Sequence, residues 1–328
     1  MSSVWSDLQF ESTSQGCTLY PIDDQSVLSI SGPDSHKFMQ GQFTCHLNDV
    51  SPNQYRPGAC CNAKGRMVTS FNLLQVEEGH YLISMHASLT ETTQNHLKKY
   101  MVFFKTQMQA SEYVLAGLTG PNAGELLTAV FEQSPQAPFE QVHAKQSLVV
   151  KLPQEAGFML YLHPDTAKDV LSEIAKSAEL GTNERWNEGL IRHGLGYITQ
   201  ATSEAFIPQM LNLNQQGGIS FNKGCYTGQE IVARMQYLGK LKRHMYRVAF
   251  DGTQNVNSGD DLFVSDKTSP VGQVVFATNL QQQAQALVVI EDKILSHIAN
   301  GELKIGPNRV QVKELLSLPY DVIDAQPE

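Results

Sequence analysis

One pattern occurs twice in the first half of this chain of 328 residues and constrains its fold more than any other feature. A strand-like run at 26–31 is followed by Gly32–Asp34 and a helical pattern, and a run at 113–119 is followed by Gly120–Asn122 and another helical pattern. Glycine and proline end a strand, and Asp or Asn starts a helix. The repeat therefore predicts two copies of one structural unit.

Each copy continues with apolar runs and helical patterns in the order strand, helix, two strands, helix, strand, which is the ferredoxin-like order. In the first copy, the apolar run from Met101 predicts the strand that follows the second helix. From about residue 244 short strand-like runs alternate with Gly, Asp and Asn turns, as in a small all-β barrel. We predict an α+β protein with a first lobe at 1–110, a second lobe at 111–243 and a barrel at 244–328.

The composition indicates a folded protein in a reducing compartment. Hydrophobic residues make up 41% and charged residues 17% of the chain, a balance that can bury a core. No apolar run approaches the ~18 residues of a membrane span, and the N-terminus does not resemble a secretion signal. The five cysteines form no C-x-x-C pair, so we expect a cytoplasmic protein with no membrane association and no tightly bound metal.

A basic stretch at 223–247 interrupts an acidic chain of net charge −9. It contains one acid, Glu230, and six basic residues: Lys223, Arg234, Lys240, Lys242, Arg243 and Arg247. Such a run is usually a solvated surface. The alternative is a binding surface for anionic carboxylates or for RNA phosphates, since lysines and arginines among tyrosines suit either ligand.

Cys225 is the best candidate for a reactive atom. It precedes a predicted helix whose free amides favour an anion, and Lys223 adds positive charge, so we expect a lowered thiol pKa. A thiolate can act as a nucleophile or as a metal ligand. The alternative is an inert buried cysteine between two turn glycines, Gly224 and Gly228, and the local pattern favours neither interpretation.

Two segments match the capping-box pattern, in which a Ser or Thr is followed three residues later by Glu. Thr227–Glu230 predicts a helix that starts at Gly228 and continues through EIVARM. Ser88–Glu91 predicts another helix start. Trp186 lies on a third, amphipathic helix, where it either packs in the core or stacks on a flat heteroaromatic ligand.

The segment KGCYTGQE resembles the signature of the YgfZ family, which comprises folate-binding proteins associated with iron–sulfur enzyme maintenance and tRNA modification. The resemblance includes PQMLNL, GGISF and EIVAR around that segment, and GPDSHKFMQGQFT, NAKGRM and LKKYMVFFK further upstream. It covers most of 26–247. The motif residues that it marks are Lys223, Gly224, Cys225, Tyr226, Thr227, Gly228, Gln229 and Glu230.

The family shares its architecture with the T-protein of the glycine cleavage system. The resemblance therefore implies a ring of two ferredoxin-like lobes and a C-terminal antiparallel β-barrel around a folate cavity, with tetrahydrofolate or another reduced folate as cofactor. Trp186 lies where the family has a tryptophan implicated in folate binding, and Arg234 is a basic residue suited to the glutamate tail. A second such tryptophan, expected after an Asp-Asp pair, is replaced here by Gln25.

The catalytic aspartate of the T-protein has no counterpart. The matching stretch Lys64–Thr69 contains no carboxylate, and neither Val68 nor Thr69 can act as the base or stabilise a developing cation at neutral pH. We therefore do not expect aminomethyl transfer by the T-protein mechanism.

The resemblance implies a tetrahydrofolate-binding protein that supports iron–sulfur cluster assembly or repair and thereby tRNA methylthiolation, with iron–sulfur enzymes such as tRNA methylthiotransferases as partners. Cys225 would attack a folate-borne carbon, relay electrons or transiently hold iron. The first two roles are preferred, because clusters usually take four thiolates. The alternatives are a folate-dependent one-carbon transferase or demethylase, and an RNA-binding module that uses the basic stretch.

Overall fold

The structure, a computed structural model, describes residues 3–10, 16–252, 254–265, 267–280 and 284–322. The chain divides into two compact units. The first unit comprises 1–40, 45–57 and 71–186, and the second comprises 41–44, 58–70 and 187–328. Two short N-terminal segments therefore belong to the same unit as the C-terminal half.

The first copy of the repeat forms a five-stranded sheet with its strands in the order β3-β4-β5-β2-β6. The elements up to its end are α1 (Ser3–Ser6), β1 (Thr18–Pro21), β2 (Gln25–Ser31), α2 (Ser35–Gln40), β3 (Arg56–Cys61), β4 (Met67–Glu77), β5 (His80–His86), α3 (Thr90–Met101) and β6 (Gln107–Ser111). Strand β2 pairs antiparallel with both β5 and β6. The order of β4, β5, β2 and β6 is that of a ferredoxin-like unit, as predicted.

The second copy forms a six-stranded sheet in the order β11-β1-β7-β10-β9-β8. Its elements are β7 (Val114–Thr119), α4 (Ala123–Phe131), β8 (Gln141–Ala144), β9 (Ser147–Lys151), β10 (Phe158–Leu162), α5 (Pro164–Ala175), β11 (Glu179–Leu180) and α6 (Asn183–Arg192). The N-terminal strand β1 pairs antiparallel with β7, in the place that β6 occupies beside β2. The second ferredoxin-like sheet is thus completed by a strand from the start of the chain.

The glycine of each repeat lies at an equivalent close approach of two chain segments. Gly32 and Gly120 have φ values of 133° and 127°, a region that side chains rarely adopt. A Cβ on Gly32 would lie 3.0 Å from the Cα of Thr106, just before β6, and one on Gly120 would lie 2.8 Å from the Cα of Cys17, just before β1. The shared geometry explains why both copies have glycine here, and it supports the equivalence of β6 and β1.

The cap at the start of α3 and the strand that follows the helix differ from the prediction. The helix begins at Thr90 without a side-chain cap, because a 3-10 turn precedes it and the Ser88 amide donates to His86 Nδ1. After the helix, the strand predicted from Met101 begins only at Gln107. The apolar run before it is a turn in which Phe103 is 88% exposed, so hydrophobicity alone was a poor guide to strand position.

The second unit contains a closed barrel in the order β12-β15-β14-β13-β16-β17, preceded by helix α7. Its elements are α7 (Gln229–Tyr237), β12 (Arg243–Phe250), β13 (Asp261–Val264), β14 (Gly272–Thr278), β15 (Gln285–Glu291), α8 (Leu295–Ala299), β16 (Leu303–Ile305) and β17 (Val310–Leu316). Residues such as Val248, Val288 and Ile305 are fully buried in its core. The predicted barrel is confirmed, with β17 as an additional strand. Among the helices of the described residues, none is long and apolar enough to cross a bilayer.

Candidate functional site

The segment KGCYTGQE forms the loop that leads into α7, and Lys223 fixes the start of this loop. The lysine is 9% exposed, and its Nζ donates a hydrogen bond to the Phe43 carbonyl at 2.6 Å. The same Nζ lies 5.0 Å from the centre of the Tyr226 ring. A buried ammonium requires such partners, so Lys223 holds the loop against segment 41–44.

The predicted capping box at Thr227–Glu230 does not form. Helix α7 begins at Gln229, one residue later than predicted, and Gly228 is its N-cap with φ +85° and no side-chain cap. Thr227 Oγ1 instead donates to Gln42 Oε1 at 3.3 Å, and Gln229 Oε1 accepts from the Tyr226 amide at 3.3 Å. A threonine cap needs extended backbone at the cap position, and left-handed Gly228 occupies that position instead.

Gly228 and Gly65 bring the loop before α7 and the hairpin turn at 62–66 into close contact. A Cβ on Gly228 would overlap the Asn62 carbonyl and lie 3.1 Å from Cys61 Cβ. A Cβ on Gly65, whose φ is +69°, would lie 2.8 Å from Ile231 Cβ. Local patterns did not predict this contact. The signal that could have found it was the joint occurrence of NAKGRM and KGCYTGQE in the resemblance.

Cys225 is exposed, as are its neighbours Asn222 and Gly224. The interpretation of Cys225 as a buried cysteine is therefore wrong. The other four cysteines are 0–1% exposed: Cys17, Cys45, Cys60 and Cys61. Burial raises the pKa of Cys60 to about 12 and that of Cys61 well above its usual value, so these two thiols stay protonated and unreactive. Of the five thiols, Cys225 is the one that reagents and partners can reach.

The remaining motif residues lie on the exposed side of α7. Glu230 and Arg234 are both exposed and spaced for an i,i+4 pair. No ion pair is formed by either side chain with any described residue. Arg234 therefore presents an uncompensated positive charge one turn beyond the start of the helix.

Trp186 lies on α6, in the first unit, and is 2% exposed. Its ring lies 5.7 Å from that of Tyr20, tilted by 44°, and covers Gly117, where a Cβ would lie 2.5 Å from Trp186 Cζ3. The ring is thus packed against β1 and β7. Its Nε1–H is buried and has no hydrogen-bond partner among the described residues.

Gln25 begins β2, also in the first unit, opposite His86 of β5. The side chain is 9% exposed, and both its Oε1 and its Nε2 are buried without a hydrogen-bond partner among the described residues. A buried amide without partners is uncommon, because each missing bond costs about 1–3 kcal/mol. Burial also lowers the pKa of neighbouring His86, while the Asp24 carboxylate partly offsets that effect.

The described residues contain no group of three or more His, Cys, Asp or Glu side chains placed to hold a metal ion. The structure assigns Trp186 and Gln25 to the first unit, and Arg234 and all of KGCYTGQE to the second. Each unit therefore supplies a distinct set of chemical groups: buried unpaired donors and acceptors in the first, and an exposed thiol and cations in the second.

Comparison with known proteins defines the class of this fold. Residues 9–182 match the family model described as the GCVT N-terminal domain. The fold is similar to that of glycine cleavage system aminomethyltransferase T from Bartonella henselae, with a TM-score of 0.72 over 94% of this chain and 87% of that one, at 15% identity. The protein is thus a GCVT-domain protein with the aminomethyltransferase T fold, as predicted.

Two relatives of nearly the same length narrow this class. The tRNA-modifying protein YgfZ of Pectobacterium atrosepticum is 32% identical over 323 residues, which cover 97% of this chain and 96% of that protein. The tRNA-modifying protein YgfZ of Klebsiella pneumoniae is 33% identical over 313 residues, which cover 94% of each chain. The chain belongs to the YgfZ family, and the resemblance identified from KGCYTGQE is confirmed.

Proposed function

We propose that this protein supports tRNA modification by binding a reduced folate and by contributing the thiol of Cys225 to iron–sulfur cluster assembly or repair in tRNA-methylthiolating enzymes. The observation that carries the proposal is a structural difference among the residues of KGCYTGQE. Lys223 and Thr227 form hydrogen bonds that hold the loop in place, and Gly228 allows its close contact with Asn62. Cys225, in contrast, is exposed. The relatives are tRNA-modifying proteins, which supports a role in the same process here.

Two side chains of the first unit support the binding of a reduced folate. The folate would carry one-carbon units and reducing equivalents. The amide of Gln25 offers a buried donor and a buried acceptor, and the Trp186 indole offers a buried donor. A pterin ring presents both donors and acceptors along its edge. Pairing these groups with a ligand would recover the cost of leaving them unpaired, about 1–3 kcal/mol each.

For Trp186 the packing favours hydrogen bonding over stacking. Gly117 and Tyr20 cover the indole ring, and its 2% exposure leaves little of a face for a second ring. The unpaired Nε1–H is the group left for a ligand. Trp186→Phe keeps the ring and removes the N–H, so it should weaken folate binding by about 1 kcal/mol in calorimetry; unchanged affinity would contradict this contact.

The role of Arg234 toward the carboxylates of a folate glutamate tail stays a prediction from the family resemblance. Its guanidinium is exposed and has no ion-pair partner among the described residues. A guanidinium suits a carboxylate better than an ammonium does, because its parallel N–H groups match the two carboxylate oxygens.

The proposed role of Cys225 follows from its accessibility. The exposed Sγ can be reached by small molecules and by partner proteins, and cysteine acts through its sulfur as a nucleophile or as a carrier of electrons. A role as a cluster scaffold is disfavoured, because clusters usually take four thiolates and the other four cysteines are buried. Residues 64–69 also provide no carboxylate for chemistry of the aminomethyltransferase kind.

The experiment is complementation of a bacterial strain that lacks its own YgfZ protein, with methylthiolated nucleosides in tRNA quantified by mass spectrometry. The wild-type chain should restore them, and Cys225→Ala should not, although it folds and still binds folate by calorimetry. Asn222→Ala is the matched control, since it changes an exposed residue of the same loop outside the motif. Full rescue by Cys225→Ala would remove the thiol from the function, and failure of the wild-type chain would contradict the role in tRNA modification.

A further inference from the structure

The basic stretch at 223–247 contains both buried and exposed positively charged side chains. Lys223 is buried, and its Nζ donates a hydrogen bond to the Phe43 carbonyl. Arg247 donates to the carbonyls of Arg192 and Ser317, and burial lowers its pKa. These two residues stabilise the fold. Lys240, Lys242 and Arg243, in contrast, are exposed.

The two exposed lysines have no acidic partner within the described part of the chain, whereas Arg243 pairs with Glu291 at 3.1 Å. An unpaired exposed lysine keeps its full charge for a ligand. Lys240 and Lys242 lie in the connection between α7 and β12. Three exposed positive charges are therefore placed within four consecutive residues.

The hairpin turn at 62–66 carries two more exposed positive charges of the second unit. Gly65 packs on Ile231 of α7, which places exposed Lys64 and Arg66 next to that helix. The Arg66 guanidinium donates to the backbone carbonyls of Glu204 and Ala205. Its charge therefore has no carboxylate partner among the described residues.

Arg66 and Arg243 line one pocket of about 190 Å³. Its wall also includes Phe206, Gln273 and one carboxylate, Asp261. The pocket connects the turn at 62–66 with the end of the basic stretch. In the chain, Lys64 lies two residues before Arg66, and Lys240 and Lys242 lie within three residues of Arg243. These five side chains are here called the basic face.

An exposed aromatic side chain lies three residues before Lys240 in the chain. Tyr237, the last residue of α7, is 63% exposed, and Leu238 after it is 85% exposed. The Tyr237 ring meets the Phe221 ring edge to face, at 5.8 Å and 74°. This contact holds the tyrosine in place while much of it remains open to solvent.

We propose that the basic face is an RNA-binding surface, on which lysines and arginines contact phosphates and Tyr237 stacks on an unpaired base. Single-stranded or looped RNA is recognised by this combination of cations and exposed aromatic rings. An acidic protein would satisfy the charges but gives no role to the exposed ring. The net charge of −9 repels RNA on average, so a group of exposed cations is the favoured place for RNA to bind. The proposal is independent of folate binding and of the Cys225 thiol.

The test measures binding of a fluorescently labelled anticodon stem-loop RNA over a salt series. Wild-type affinity should fall steeply with salt, with a slope of about 0.7–0.9 logarithmic units per phosphate contact. The double variant Lys240→Ala/Lys242→Ala should bind about tenfold more weakly and with a shallower slope. Lys98→Ala/Lys99→Ala is the matched control, because it removes two exposed lysines from α3 in the other unit.

The stacking contact is tested separately at Tyr237. Tyr237→Ala should weaken binding about tenfold at every salt concentration, and Tyr237→Phe should bind like the wild type. Thermal melts confirm that these surface variants fold. The proposal is overturned if the wild-type chain shows no salt-dependent RNA binding, if the α3 control weakens binding equally, or if poly-L-glutamate displaces the RNA as well as unlabelled RNA does. The last result would assign the face to an acidic protein.

Discussion

At the scale of single residues, KGCYTGQE is more a structural motif than a set of reactive groups. Lys223 donates to a carbonyl, Thr227 donates to Gln42, and Gly228 allows close contact with Asn62. From residue types alone, Lys223 was expected to lower the thiol pKa by its charge. In the structure its ammonium donates to the Phe43 carbonyl, and the expectation for the thiol stays a prediction. A short signature can therefore mark one chemical group and the several residues that present it.

Gln25 offers a residue-scale prediction, because its buried amide has no partner among the described residues. Gln25→Leu removes these polar atoms and keeps much of the volume. The free energy of unfolding should therefore stay the same or rise by up to about 1 kcal/mol, while folate affinity should fall about tenfold. Thermal melts and calorimetry measure the two effects.

Gln141→Leu is the control for that prediction. Gln141 is also buried, but its Nε2 donates to the carbonyls of Pro52 and Gln75 at 3.0 and 2.7 Å. Losing those bonds leaves two carbonyls unpaired and should destabilise the protein by about 2 kcal/mol or more. If Gln25→Leu destabilised the protein as much as Gln141→Leu does, the Gln25 amide would have hydrogen-bond partners within the protein. It would then not be available to bind a ligand.

At the scale of helices and strands, patterns that depend on near neighbours predicted the structure well. The strand at 26–31, the helices after Gly32 and Gly120 and the strands of the barrel all form where expected. Both capping boxes failed, because distant or preceding backbone decided the helix starts: Gly228 packs on Asn62, and a 3-10 turn precedes Thr90. The pairing of β1 with β7 joins residues about one hundred positions apart and leaves no local signal.

Gly228→Ala is the prediction for the loop and α7. The added Cβ would overlap the Asn62 carbonyl, and φ +85° is unfavourable for alanine. We expect a loss of about 2–4 kcal/mol in the free energy of unfolding, measured by urea denaturation.

Gly224→Ala is the control in the same loop. Its added Cβ would meet no atom within 4 Å, so the free energy of unfolding should change by less than about 0.5 kcal/mol. Equal stability of Gly228→Ala and Gly224→Ala would show that the contact between the loop and the turn at 62–66 does not hold the site.

At the scale of the whole molecule, the chain combines a duplicated α+β architecture with a barrel and keeps the fold of aminomethyltransferase T at 15% identity. A fold preserved at such low identity does not by itself preserve a reaction. The composition and charge of the chain indicated a folded acidic protein. Motifs such as KGCYTGQE indicated the protein family. The pairing of Lys223 with Phe43 could not be read from the sequence, because it joins residues 180 positions apart. Core packing of Trp186 was one of the two interpretations that the sequence allowed, and its burial agrees with that one.

For the molecule as a whole, we predict that it does not catalyse the aminomethyltransferase reaction. Because 64–69 contain no carboxylate, the protein should not transfer an aminomethyl group to tetrahydrofolate or release ammonia from such a donor. A coupled assay for ammonia, with an aminomethyltransferase T as positive control, measures this. Folate-dependent turnover of an aminomethyl or methylamine donor would instead support a one-carbon transferase with a different acid–base group.

The most direct measurement is mass-spectrometric mapping of thiol alkylation in the native protein, because the proposed function requires Cys225 to be the thiol that reagents can reach. Iodoacetamide should modify Cys225 within minutes, while Cys17, Cys45, Cys60 and Cys61 react only after unfolding. Protection of Cys225, or equally fast labelling of any of the other four cysteines in the folded protein, would contradict the account.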